Sequence, residues 1–289
     1  MSTSTQVIGL DLGGTKLWGG ARGIDGKPGG ELNWPTETTS ADALIGQIVD
    51  MVTELREGSD LAQVVLGVPA VPDPKTGRLS LSPNVPLASV DDLAGLLSAR
   101  IGAPVAIEND ANLAAFAEAR EGAGMGHDLV TMVSLGTGIG MGTVIGGRML
   151  RGARGQAGEL GSAILDSGEM LEDQVGTPGI LARDPKGSAS VKEVFARADA
   201  GEETALALLD ETARITARAL SFVLTALDPD LLVIGGGIGT QPRFYALLET
   251  HLNKAVPMPF SIAPAKLGPR AGLQGAMLFS AELGSDLPR

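Results

Sequence analysis

The stretch "VIGLDLGGTKLWGG", Val7 to Gly20, carries an apolar run into two adjacent glycines, a threonine and a lysine, then resumes strand-forming residues. Val7–Leu12 reads as a buried strand and Leu17–Ile24 as a second, so the turn between them closes a hairpin. Gly13 and Gly14 remove Cβ atoms where something must approach the backbone closely. Thr15 adds a hydroxyl and Lys16 a point charge. Asp11 adds a hard oxygen ligand suited to a hydrated magnesium ion. Together these are parts for a phosphate and its metal; a tight hairpin without a ligand is the plainer alternative.

The pattern returns further along. Leu129–Leu135 is apolar, "GTGIGMG" follows at Gly136–Gly142, and Thr143–Gly146 runs on as strand. The two units look like an internal duplication of a half-domain. A dinucleotide fingerprint needs its glycine turn to open a helix, and both turns here lead back into strand. The P-loop pattern is absent. Each turn therefore reads as a cup of backbone N–H groups inside a β-hairpin, with Gly136, Thr137 and Gly138 lining the second. A third glycine run, Gly235–Gly237, ends the strand in "PDLLVIGGGIG". There Gly236 and Gly237 would admit a flat group such as adenine.

Around these turns the chain alternates strand and helix. "DGKPGGE" is a turn before a third strand, Leu32–Thr36. Leu44, Ile45, Ile48, Val49, Val52 and Leu55 share one face of a helix over Ala41–Glu57. Gln63–Val68 and Pro104–Glu108 read as strands. Between them, "PAVPDPKTGRLSLSPNVPLAS" reads as loop, hairpin and loop, and Val90–Ile101 as a helix. Further helices are expected over Ala111–Gly122, within Val191–Leu227, over Pro242–Lys254 and over Gly272–Leu283. The expected division is a smaller N-terminal lobe over 1–111, with the closing helix 272–284 packed back on it, and a larger lobe over 112–271. A hinge is expected near Asp110–Ala123.

The chain's 289 residues suffice for one large domain or two ordinary ones. Hydrophobic residues make up 44% and aromatic residues 3%, so the core rests on Leu, Val, Ile, Ala and Met. Lys plus Arg is 22 against 34 for Asp plus Glu, a net charge of −12 that argues against a nucleic-acid surface. The absence of cysteine excludes disulfides, thiolate nucleophiles and cysteine-ligated zinc. No basic leader precedes the first strand, and no apolar run reaches the ~18 residues of a membrane span. A cytoplasmic location is expected.

Two phosphate hairpins, one from each repeat, is the arrangement of the actin-like ATPase (ribonuclease H-like) α/β domains, two lobes around a central cleft. "GLDLGGTK", "LSPNVP", "IENDAN", "SLGTGIGMGTVIGG", "RGARGQAGELG", "LLVIGGGI" and "LGPRAGLQGA" lie in order along nearly the whole chain. In this the sequence resembles the ROK family of sugar kinases, bacterial glucokinases in particular. The resemblance implies ATP and Mg2+, transfer of the γ-phosphoryl group to the 6-hydroxyl of a hexose, habitually glucose, and a homodimer.

Phosphoryl transfer needs positioning, charge neutralisation and a base for the attacking hydroxyl. Asp110, between a strand and an Ala-rich helix, is either a helix N-cap or that base. A helix N-terminus keeps a carboxylate ionised, so the two roles are compatible. The resemblance assigns Asp110 the base and makes Asn109 a sugar contact. It places Glu159 and Glu172 on hydroxyls across the pyranose ring, and Asn84, in "SPNVP", at the sugar from the smaller lobe.

The pattern breaks after "GELG". Most relatives place a histidine there, which contacts the sugar and joins three cysteines on zinc; here the position is Ser162 and the loop "SAILDSGEMLE" has neither Cys nor His. No zinc site is expected. Ile164, Leu165, Met170 and Leu171 would have to anchor the loop by burial, with Ser162 or water replacing the imidazole. His127 and His251, the chain's two histidines, lie elsewhere and read as surface residues. The family also contains sugar-sensing repressors with an N-terminal helix-turn-helix module; with six residues ahead of Val7, no such module is expected. A nicotinamide dehydrogenase is the remaining competitor. The choice among glucose, mannose, fructose and N-acetylated hexosamines, and between ATP and polyphosphate, is left open by the residues.

Overall fold

In the computed structural model, residues 5–80, 86–87 and 89–286 are described. They form two compact units, one of Met1–Ala117, Met149–Ala157 and Pro269–Arg289, the other of Glu118–Arg148 and Gly158–Gly268. The first unit thus extends past the expected boundary at 111 and takes in a strap of chain, Met149–Ala157.

The first unit is built on a five-stranded sheet. Its strands are β1 (Thr5–Leu12), β2 (Lys16–Gly23), β3 (Pro28–Pro35), β4 (Asp60–Val68) and β7 (Val105–Asn109), in the order β3-β2-β1-β4-β7. β1 pairs antiparallel with β2 and parallel with β4, and β4 pairs parallel with β7. Alternation along β1 separates two faces. Ile8, Leu10 and Leu12 enter a core with Leu44, Ile45, Ile48, Val52 and Leu55 of α1 (Ala41–Arg56). Leu93 and Leu97 of α2 (Leu93–Ile101) join it. On the other face, α3 (Asp110–Glu121) and the closing helix α10 (Ala271–Asp286) meet, with Phe116 edge-on to Phe279 at 5.8 Å. Glycine is needed at Gly9, where a Cβ would stand 2.6 Å from the Met277 backbone nitrogen. A short hairpin, β5 (Val71–Pro72) with β6 (Leu79–Ser80), completes the unit.

The second unit repeats the plan. β8 (Leu129–Leu135), β9 (Ile139–Ile145), β10 (Arg148–Met149), β11 (Leu231–Gly235) and β12 (Ile262–Pro264) order as β10-β9-β8-β11-β12. Again the first hairpin is antiparallel, and β8, β11 and β12 run parallel. Val133, Leu135, Leu232 and Ile234 share a core with helices α5 (Thr177–Arg183), α6 (Val191–Asp199), α7 (Glu203–Leu227) and α9 (Pro242–Ala255). A smaller cluster joins Leu171 and Val175 of α4 (Leu171–Val175) to Ala219 of α7. One helical turn, α8 (Gly236–Gly239), follows β11. No described helix is long and apolar enough to cross a membrane.

The differences from expectation have local causes. β3 starts at Pro28, not Leu32, because Gly29 packs its bare α-carbon on Ala21, where a Cβ would lie 2.9 Å from that methyl group. α2 starts at Leu93, not Val90, because Asp92 is its cap, accepting from Gly95 N–H at 2.9 Å. His251 is partly covered at the surface: its side chain is 14% exposed and lies 2.9 Å from the Asp210 carboxylate.

Candidate active site

In the first unit the glycine turn is a strand–turn–strand hairpin. Gly13 N–H donates to Lys16 C=O at 2.8 Å, and Gly14 and Thr15 are exposed. Thr36, just past β3, holds the turn from behind: its hydroxyl donates to Gly13 C=O at 2.7 Å and its N–H to Thr15 C=O at 3.2 Å. Asp11 is the penultimate residue of β1, just before the turn. Burial pushes its carboxyl up to about 6, against the pull of the Lys16 charge. Gly272 leaves room for this carboxylate, since a Cβ there would stand 3.0 Å from all three carboxyl atoms. A single carboxylate beside an open cup fits a hydrated Mg2+, an ion that keeps several waters and takes its remaining ligands from phosphates. Among the described residues, no group of three or more His, Asp or Glu side chains is gathered to hold a metal.

Asp110 is the first residue of α3, not its cap. The cap is Asn109, whose Oδ1 accepts from Asn112 N–H at 3.0 Å. The Asn109 amide nitrogen donates to Ala70 C=O at 3.1 Å, so both ends of this side chain hold backbone. One N–H and one lone pair of the amide remain for a ligand. Asp110, half-buried, accepts from Ala111 N–H at 2.8 Å. Beneath both lies a buried network. Glu108 accepts from Asn109 N–H at 2.9 Å and from the Asn112 amide at 3.0 Å, and its other oxygen is paired with Arg151 of the strap. The strap is pinned at Gly155, whose positive φ of 78° brings its bare α-carbon against the Pro72 carbonyl.

The second unit carries the other cup. Gly136 N–H donates to Gly138 C=O at 3.0 Å, and Thr177 again supports the turn from behind, its hydroxyl 3.1 Å from Gly136 C=O. Thr137 is exposed. Gly237 lies alongside: a Cβ on Gly136 would stand 3.9 Å from its nitrogen. Gly236 has φ 81° and abuts the Leu135 carbonyl, whereas a Cβ on Gly237 would meet nothing within 4 Å. That open backbone suits a flat group.

Glu159, Ser162 and Glu172 gather beside this cup. Glu159 precedes a 3-10 turn, Leu160–Ser162, and its C=O accepts from Ser162 N–H at 3.2 Å. Burial, and then the charge of Glu172, hold the Glu159 carboxyl above its ordinary range. Both carboxylates can accept hydrogen bonds from hydroxyl donors. The loop before Glu172 forms a small hairpin, with an Ile164–Met170 bridge and Leu165 N–H donating to Glu169 C=O at 2.8 Å. Only part of its expected apolar anchor forms. Leu171 is 1% exposed, but Ile164 and Met170 are 64% and 47% exposed, turned outward by the hairpin. Asn84 lies outside the described residues. Sequence reasoning missed Thr36, Thr177, Glu108 and Arg151.

The ROK family pattern matches residues 7–282. The chain is 34% identical over 288 residues to the bifunctional enzyme NanE/NanK of Brucella melitensis, covering 94% of this chain and 53% of that protein. It therefore spans about half the length of that relative. To the glucokinase of Thermotoga maritima it is 30% identical over 306 residues, with 94% and 96% covered. To the N-acetyl-D-glucosamine kinase of Escherichia coli it is 30% identical over 302 residues, with 94% and 98% covered. Among solved structures, the ROK hexokinase from Thermus thermophilus superposes with a TM-score of 0.86 at 29% identity, covering 97% of this chain and 99% of that one. A ROK family glucokinase from Streptomyces griseus, in complex with glucose and AMPPNP, gives 0.81 at 26% identity over 96% and 99%. The two repeated sheets are those of the actin-like ATPase fold. With the family pattern spanning both repeats, the chain belongs to the ROK family.

Proposed function

We propose that this chain is a sugar kinase that transfers the γ-phosphoryl group of ATP to the 6-hydroxyl of a hexose, with Asp110 as general base. The observation that carries the reading is the repeated hairpin. Two sheets of the same strand order each present a glycine turn backed by a threonine, and each turn leads into strand rather than helix. Relatives named for glucose and N-acetylglucosamine phosphorylation support it.

In this reading the turns Gly13–Thr15 and Gly136–Gly138, through the N–H groups not used by Gly13 and Gly136 to close them, hold the triphosphate with Lys16, and Gly236 and Gly237 back the adenine. Asp11 holds a hydrated Mg2+, which when bound neutralises phosphate charge. Asp110 orients the hydroxyl and takes its proton late, because a loose phosphoryl-transfer transition state asks little of the base. Glu159 and Glu172 accept from ring hydroxyls, with Asn109 and Ser162 as further contacts, and Asn84 is assigned to the sugar as well. Glucose is the favoured substrate and an N-acetylated hexosamine the alternative. The same reading makes the protein a cytoplasmic homodimer.

A coupled assay over glucose, mannose, fructose, N-acetylglucosamine and N-acetylmannosamine, with ATP and with polyphosphate as donors, tests this. Phosphorylation of one hexose by ATP supports the reading. Sugar binding with no product from any donor would favour a sensor.

A further inference from the structure

We infer that Trp18 is a positioning residue for Lys16, an inference that rests on the assignment of the first glycine turn to the nucleotide's phosphates. Trp18 pairs with Asp11 across the β1–β2 ladder, so its side chain shares a sheet face with that carboxylate and with Lys16 two residues before it. The Lys16 ammonium sits 4.5 Å from the indole centroid.

The ring is itself fixed. Trp18 Nε1 donates to Glu31 Oε1 at 2.7 Å. Arg270, in the turn that leads into α10, grips the same carboxylate with both terminal nitrogens, at 2.9 Å and 2.6 Å. Its guanidinium carbon is 5.3 Å from the ring centroid. Glu31 and Arg270 thus lock the indole, and the indole holds the lysine.

An aromatic face suits a cation that must be handed over. A carboxylate in its place would bind Lys16 through charge-assisted hydrogen bonds and repel an arriving phosphate. The indole attracts the ammonium through its quadrupole and carries no net charge. Lys16 is therefore ordered beside the turn before nucleotide arrives, and it moves to a phosphate oxygen without breaking an ion pair to Trp18. The ordering entropy of a long side chain has already been met.

Trp18 and Trp34 are the chain's two tryptophans, so Trp34→Phe leaves Trp18 as the sole indole reporter. The full chain is titrated with AMPPNP, followed by calorimetry and by indole emission. Emission is expected to change in step with the binding heat as the ammonium leaves the ring, and Lys16→Met is expected to remove that response. In kinetics, Trp18→Leu is expected to raise the KM for ATP about tenfold, more than it lowers kcat, while Trp18→Phe keeps the ring face and restores the KM. The emission experiment does not depend on Trp18→Leu folding. Binding heat with unmoved emission, or a wild-type KM for ATP in folded Trp18→Leu, overturns this inference alone. No binding heat in the wild-type chain overturns the kinase reading and this inference with it.

Discussion

Glu172 Oε2 accepts a hydrogen bond at 2.7 Å from the backbone N–H of Ile139, the residue that follows the second glycine turn. The same oxygen stands 2.5 Å from where a Cβ on Gly138 would lie. Glycine at 138 thus sets the seat of a carboxylate proposed to hold the sugar. Gly138→Ala is expected to push Glu172 off Ile139 and to raise the hexose KM by one to two orders of magnitude, from a lost charge-assisted contact worth roughly 1.5–3 kcal/mol. Steady-state kinetics with the hexose varied at saturating ATP measure this.

The third glycine run separates fold from binding. At Gly236 the backbone has φ 81° and a Cβ would collide with the Leu135 carbonyl. Gly236→Ala is expected to cost about 3 kcal/mol or more through strain and displacement. Gly237 is open, so Gly237→Ala is expected to keep wild-type stability and to weaken nucleotide binding. Urea unfolding and AMPPNP calorimetry on both variants check the contrast.

Asp11 makes stability depend on pH. Its carboxyl is raised from 3.8 to about 6, so the native chain holds the proton more tightly than the unfolded chain. The associated stability is present below pH 3.8 and lost as pH rises through 6. Asp11→Asn is expected to stabilise the ligand-free protein at pH 8 by on the order of 1–3 kcal/mol, with little effect near pH 4. Thermal unfolding across that range, without magnesium or nucleotide, gives the comparison.

Glu108 is 4% exposed and bonded to Asn109 N–H, the Asn112 amide and Arg151. Removing Arg151 leaves a buried charge uncompensated. Arg151→Met is expected to destabilise by about 3–5 kcal/mol, and adding Glu108→Gln to recover much of that loss. A double-mutant cycle in urea measures the coupling. An additive cycle would dissociate Arg151 from the support of the Asn109–Asp110 segment.

Two contacts compete as the anchor of the loop before Glu172. Asp166 pairs with Arg218, but their side chains are 78% and 56% exposed, which limits the pair to about 0–1 kcal/mol. Leu171 is 1% exposed, and truncation there costs about 2–5 kcal/mol. Leu171→Ala is therefore expected to lower Tm and raise the hexose KM, with Arg218→Ala nearly silent in both.

Both hairpins were legible in the sequence because a short glycine turn flanked by strand formers on both sides has few other solutions. α1 was legible from its apolar periodicity. β3 was obscured by Pro28, Gly29 and Gly30, residues that read as turn until Ala21 is known to lie against them. α4 and α5, of 5 and 7 residues, are too short to show a helical period. The Glu108–Arg151 pair spans 43 residues of sequence, and Thr36, just past β3, and Thr177, at the start of α5, are ordinary threonines until a glycine carbonyl faces them. Asp110 was readable as a helix-start carboxylate. That Asn109 takes the capping role beside it depends on side-chain geometry that composition does not carry.

The proposed function turns on Asp110 receiving the proton of the sugar hydroxyl. The direct measurement is kcat for the hexose that the wild-type chain phosphorylates, in Asp110→Asn, beside AMPPNP affinity and Tm. A drop of about 10²–10⁴ in kcat with AMPPNP affinity and Tm unchanged is the expected result. Near-wild-type turnover in a folded, nucleotide-binding Asp110→Asn would contradict it.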